Sequence, residues 1–531
     1  MHRLFAILLF TLITVDAQAK RHLVVLPGVP MRPGDIKPYL PPKLDPEPPL
    51  EPTEVKTVEV TSAEAVIEMR PWPSPMVGNA IGGARLPVRG VVKATRGCSG
   101  KVWYAVEPFG YLCSREAKPT TEAPTTTPVI EALPHSRLPF RYVMVFVKDE
   151  EKLPMWTTVA ALGNGDEPER QLKKGDTVAI QKSFEYEGER YWISVEGKVL
   201  PAKHTGMMGT GSEWHGVDLD DKVALPLGWV TPESTKAYAT PPAGKPGPAT
   251  EHLERRTRLS ILDEKIVGKT RWLKVVVIAP APPRSVGAIM EEGAKKKEPP
   301  TPTPTPTAAS ELWVDAAQIN EARKLDRPAT VPAEVEQWID VDLGEQVLVA
   351  YEKDTPVFAT LVSSGRAIPT PMGTYPVWAK VSAITMKNQP YEDKPYFVNK
   401  VPWSTFFQWH NAIHGAYWHD RFGISKSHGC VNVAPLDARH IFEWVKPPLP
   451  PGWTGLRPLE LMKSPTVVVR NSHAKKMFRQ DRPVGPPDRT LEADRLEEAE
   501  KRRAEEAAKA TPATQTTSAP APPGPASPTP H

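Results

Sequence analysis

The sequence predicts a mainly β protein: a larger β-rich domain with one main helix near the C-terminus, preceded by two or three small β modules on proline-rich linkers. Three observations predict this class. The apolar stretches alternate with polar residues at period two, as strands with one buried face do. Helical spacing stands out at one place in the C-terminal β-rich region, where Ala438, Ile441, Phe442 and Val445 fall at i, i+3, i+4 and i+7. Proline makes up 63 of 531 residues, about 12% against an average near 5%, and much of it is clustered between the β-like stretches.

The elements follow in order. Residues 1–19 read as a cleaved signal peptide: Arg3 supplies positive charge, Leu4 to Val15 an apolar stretch, and Ala17-Gln18-Ala19 a small-x-small cleavage site. The apolar stretch is too short for a membrane anchor, and no later segment offers about 18 unbroken apolar residues. The expectation is an exported chain without an integral membrane segment, in the periplasm or cell envelope, with the extracellular wall as second choice. Residues 20–60 form a proline-rich leader.

Three β-like regions follow, at 61–117, 136–232 and 233–325, each with a polar turn, an alternating strand and a strand led by Trp103, Trp192 or Trp272. The second and third resemble bacterial SH3-like modules, in which a Trp-x-x-Val strand leads to a closing strand; the first is a weaker match. The alternative is one larger β-sandwich. KPTTEAPTTTP marks a linker over 118–135. A Pro-Thr insert, KKKEPPTPTPTPTAAS, interrupts the third region, so ELWVDAAQI reads as its displaced closing strand. Residues 330–471 form the larger domain. WIDVDL reads as a strand with one wet face, QVLVAY, VFATLVSSG and SPTVVVR as further strands, and Pro435 suits the helix's first turn. Residues 472–531 read as a charged helix and a Pro/Ala/Thr tail.

The net charge of +4 comes from nearly balanced signs with no long basic run, which gives no case for a nucleic-acid partner. Of three cysteines, Cys98 and Cys113 are close in sequence, and in an oxidising compartment they are expected to be bonded, closing a loop of about 16 residues worth about 3 kcal/mol. Cys430 is left over, as a dimer link, a passive thiol or a reactive group. Its neighbours decide. It sits in Ser427-His428-Gly429-Cys430-Val431-Asn432, just before the helix, where exposed N–H groups and the dipole favour a thiolate. The N–H groups of Gly429 and Cys430 are candidate oxyanion donors, and His414 is the candidate general base.

His414-Gly415 followed by this run resembles the signature of L,D-transpeptidases: a histidine, an intervening loop, then Ser/Thr-His-Gly-Cys-hydrophobic-Asn. WIDVDLGEQVLVAY resembles that family's opening hairpin and TPMGTYPVW its Thr-Pro-x-Gly-x-Tyr strand, so the resemblance runs from roughly 338 to 470. It implies Cys430 as nucleophile and His414 as proton donor and acceptor, oriented by the Gly415 carbonyl. It implies Ser427, His428 and Gly429 as the nucleophile loop and oxyanion hole, with Asn432 bracing it. Residues 384–404 fall where the family has a lid, which Tyr391 and Tyr396 would line. The implied substrates are peptidoglycan stem peptides, with glycan as a further candidate, and no cofactor or metal is implied. The implied reaction joins a tetrapeptide stem to an amine, forming 3–3 crosslinks. L,D-carboxypeptidase and protein-to-murein linkage are alternatives. A zinc site among His410, His414, His419, His428 and Cys430, a papain-like protease and a catalytically silent wall-binding scaffold are the rivals. His410, His419 and His440 read as ordinary surface or satisfied histidines. The modules read as wall-retention units, with the chemistry wholly within 330–471.

Overall fold

A computed structural model describes residues 22–25, 46–71, 74–94, 97–243, 247–278, 310–366, 370–387, 396–474 and 477–480. The stretch read as a signal peptide, most of the leader, most of the Pro-Thr insert, Tyr391, and the charged helix and tail expected at the C-terminus lie outside them. The described chain is mainly β, with two α-helices among the described residues, Val159–Gly163 and Pro435–Trp444.

The C-terminal region is built from two sheets. The first runs Val217–Asp218, Thr355–Leu361, Val347–Glu352, Gln337–Asp342, Thr466–Arg470 and Gly373–Pro376. Gln337–Asp342 and Thr466–Arg470 pair in parallel, so the domain's opening and closing strands lie side by side. The second sheet carries Trp453–Leu456, Ala379–Lys387, Phe397–Gln408, Asn411–Gly415 and Val431–Val433. Ile339, Val341, Leu348, Phe407, Ile413 and Val431 fill the core they share with the helix Pro435–Trp444, which contributes Ala438, Ile441 and Phe442. Burying an aliphatic side chain of this kind contributes about 1.5–3 kcal/mol.

Two expectations are corrected here. Asp340 and Asp342 do not form a wet face: they are 1% and 2% exposed, and Arg470 bridges both, at 2.8 Å and 2.6 Å. The far side of this sheet is covered, because Trp338, Val349 and Tyr351 pack with Trp229 and Ala322 from the preceding regions and with Val331. Nor does Cys430 abut the helix. The strand Val431–Val433 intervenes, so the helix dipole, which falls off within the first turn, does not act directly on the thiol.

The preceding β regions share sheets and cores with this domain. Met76–Ile81 pairs antiparallel with Trp453–Leu456, and Trp453 is fully buried in the core of the first region with Val58, Ile67 and Leu86. A Cβ at Gly78 would lie 2.4 Å from the Trp453 ring, so glycine is required for this approach. Cys98 and Cys113 are disulfide-bonded in the same region. Ala117–Thr120, which runs into the stretch whose composition reads as linker, pairs with Thr57–Val60. In the second region Thr177 pairs in parallel with Val398, and Phe397 enters that region's core. In the third, Leu312–Asp315 pairs with Thr270–Val277 across the Pro-Thr insert.

Candidate active site

The hairpin Phe397–Gln408 to Asn411–Gly415 and the strand Val431–Val433 bring the two ends of the motif together. Ile413 lies opposite Val431, and His414 opposite Asn432, in a parallel pair. Cys430 is the residue before that pair begins. It is half-buried, with Sγ 3.7 Å from the His410 carbonyl oxygen at the hairpin turn. On the other flank, Ser363 exchanges backbone hydrogen bonds with Asn432 at 2.8 and 3.0 Å. The Cys430 loop is thus held between two strand ends.

His414 is buried, and its Nδ1 faces the Gly415 carbonyl oxygen at 3.5 Å. Burial pushes its pKa down to about 4, against a smaller upward pull from that carbonyl. The ring is therefore neutral at pH 7. Ser427 donates its hydroxyl to the Cys430 carbonyl at 2.5 Å and accepts the Gly429 N–H at 3.1 Å. Gly429 has φ 132°, a backbone region that suits glycine. Its N–H is engaged by Ser427 in this loop conformation. His428 is exposed and stacks with Tyr396, ring centroids 5.0 Å apart.

The structure assigns more to His419 than an ordinary surface histidine. Its Nε2 lies 2.9 Å from the Asn432 side-chain amide, while its Nδ1 accepts the Arg421 N–H at 3.2 Å. Burial, with Lys426 next, pushes its pKa down to about 4. No signal in the sequence distinguishes His419 from its neighbours, since the partner Asn432 is brought to it only by the fold. Among the described residues no three His, Cys, Asp or Glu side chains converge as a metal site, and no helix is long and apolar enough to cross a membrane.

Residues 336–478 match the family model YkuD, the L,D-transpeptidase catalytic domain. Among solved structures, the catalytic domain of an Enterococcus faecium L,D-transpeptidase is 27% identical, covering 25% of this chain and 95% of that one, with a TM-score of 0.21. A cysteine-to-serine mutant of the E. faecium L,D-transpeptidase is 23% identical, with 28% and 54% covered and a TM-score of 0.22. An L,D-transpeptidase from Mycobacterium smegmatis is 15% identical, with 40% and 98% covered and a TM-score of 0.21. The chain spans about half the length of the first two solved structures it matches, 54% and 55%. No curated protein matches it.

Proposed function

Because residues 336–478 match the L,D-transpeptidase catalytic domain, we propose that this chain is a cysteine acyltransferase acting on peptidoglycan stem peptides. Cys430 is the nucleophile and His414 the proton donor and acceptor. The observation that carries this reading is the pairing of the His414 strand with the strand that follows Cys430, with His414 held neutral by burial. A neutral imidazole takes the thiol proton as sulfur attacks the carbonyl of the third stem residue. The amide C–N bond breaks, and His414 returns the proton to the departing D-alanine amine. The acyl group remains on Cys430 as a thioester. An amine from a second stem then attacks the thioester carbonyl and gives a proton to His414; the C–S bond breaks, His414 returns the proton to the Cys430 thiolate, and a 3–3 crosslink is formed.

The Cys430 N–H is the oxyanion donor, and Ser427 and Gly429 set the loop's conformation through their mutual hydrogen bond. Asn432 braces the loop from behind through His419. Tyr396, stacked on His428, lines the stem-peptide side. The chain acts in the cell envelope, and its β modules are SH3-like.

The test is mass spectrometry of purified tetrapeptide muropeptides incubated with the full chain. Crosslinked dimers with loss of D-alanine support the transpeptidase. Tripeptides alone would make it an L,D-carboxypeptidase, and unchanged muropeptides would leave a wall-binding scaffold.

A further inference from the structure

The segment between His414 and Cys430 is gripped from outside the matched domain. At its start, Tyr417 stacks on Tyr142, ring centroids 3.7 Å apart, and its hydroxyl lies 2.7 Å from Thr177 Oγ1. Since Tyr417 donates to the Asn399 carbonyl at 2.6 Å, Thr177 is the donor in that pair. Both Tyr142 and Thr177 belong to the second β region. Three residues on, Asp420 accepts Arg256 in a forked pair, Nη1 to Oδ2 at 3.1 Å and Nη2 to Oδ1 at 2.8 Å. Arg256 also reaches the Asp420 carbonyl, at 2.5 Å, and Ser212 donates its hydroxyl to the same carboxylate. Farther along, Asn320 donates to the Gly423 carbonyl at 3.1 Å. Arg256 and Asn320 come from the third region.

These contacts converge on the loop that carries His419. The residue next to the clamped Asp420 is His419, which meets Asn432, two residues beyond Cys430. Arg256 itself has φ 67° in the turn after Glu251–Glu254, a strained backbone for a side-chain-bearing residue, yet its guanidinium lies on Asp420.

We propose that the second and third β regions are positioning elements of the Cys430 site, acting through Thr177 on Tyr417 and through Arg256 on Asp420. The line of action runs from Arg256 to Asp420, across His419 to Asn432, and so to the nucleophile loop. Arg256 and Thr177 touch no reacting atom. They set where the loop stands, and catalysis is sensitive to displacements smaller than those that unfold a domain. The proposal rests on the reading of Cys430 as the nucleophile, and it replaces pure wall retention as the role of these regions.

The test uses the full chain, reading kcat and KM for D-alanine release from tetrapeptide muropeptides, together with the rate of Cys430 alkylation by iodoacetamide. Asp420 is half-exposed, so the pair is a modest one. Arg256→Met should lower kcat roughly fivefold to tenfold with KM within about twofold. Asp420→Asn should do the same, and the double variant should be no worse than either single one. Arg256→Lys, which keeps the charge and loses the fork, should recover part of the rate. Wild-type kcat in folded Arg256→Met would overturn the proposal, as would additive losses in the double variant. Should Arg256→Met fail to fold, Thr177→Val takes its place: a lowered kcat with KM within about twofold is expected, and wild-type kcat in the folded variant would overturn the proposal. A wild-type chain with an unreactive Cys430 and no D-alanine release would overturn the reading of the site itself.

Discussion

Asn432 and His419 form a half-buried pair behind the nucleophile loop, the side-chain amide 2.9 Å from Nε2 of the ring. Since His419 Nδ1 accepts the Arg421 N–H, a neutral ring carries its proton on Nε2. The Asn432 amide therefore presents its oxygen to that proton, which gives a partner to a carbonyl that burial would otherwise orphan. The full arrangement holds only while His419 is neutral, because protonation puts a hydrogen on Nδ1 and removes the acceptor for the Arg421 N–H.

The first prediction concerns acid. His414 and His419 both have pKa values pushed down to about 4 by burial, against about 6.5 in an unfolded chain. Between these values the unfolded chain binds more protons, so stability is fully present above about pH 6.5 and is lost as pH falls towards 4. A shift of this size is worth about 3 kcal/mol for each histidine. Melting temperature followed from pH 7.5 to 4 should fall steeply below 6.5, and His419→Gln should flatten that fall. An equally steep fall in His419→Gln would contradict the coupling.

A second prediction concerns the shared core. Trp453 belongs by sequence to the matched domain and by packing to the first β region. Trp453→Ala should cost about 3–5 kcal/mol. Melting should also stay a single transition, because one side chain serves both regions. Two separated transitions in the wild-type chain would show that the regions fold independently.

What was legible in the sequence follows from what is local. The strands around Ile339, Val349 and Val467, and the helix with Ala438, Ile441 and Phe442, are written in short-range periodicity. The motif at 427–432 is local too, and the family match falls where the resemblance lies. Cross-pairing such as Gly78 with Leu456 has no short-range signature, and Trp453 reads the same whether its pocket is its own domain or another. The burial of Asp340 and Asp342 was misread for a related reason. A polar alternation means water only if no Arg470 closes over it. His419 and Arg256 were hidden because their partners lie far away in sequence or across a loop.

A third prediction concerns the cysteines. With Cys98 and Cys113 bonded and Cys430 outside the disulfide, thiol titration of the unreduced, denatured chain should count one, rising to three after reduction. Reduction should destabilise the first β region by about 3 kcal/mol, the value for a loop of this size. A count of three before reduction would remove the bond.

A fourth concerns inhibition. A nucleophilic Cys430 thiolate should open the strained β-lactam ring of ertapenem and hold it as a thioester. Intact-protein mass spectrometry should show one added ertapenem mass, lost in Cys430→Ala. An adduct that persists in Cys430→Ala would place the reactive group elsewhere.

The most direct test follows the acyl group itself. The full chain is incubated with a disaccharide-tetrapeptide and quenched in acid, and the intact protein and its Cys430 peptide are weighed. The account predicts a disaccharide-tripeptide acyl group on Cys430 and one D-alanine for each acyl group transferred, counting those still on Cys430 and those already passed to crosslinked dimers, and neither product from Cys430→Ala. D-alanine release by Cys430→Ala at the wild-type rate would contradict it.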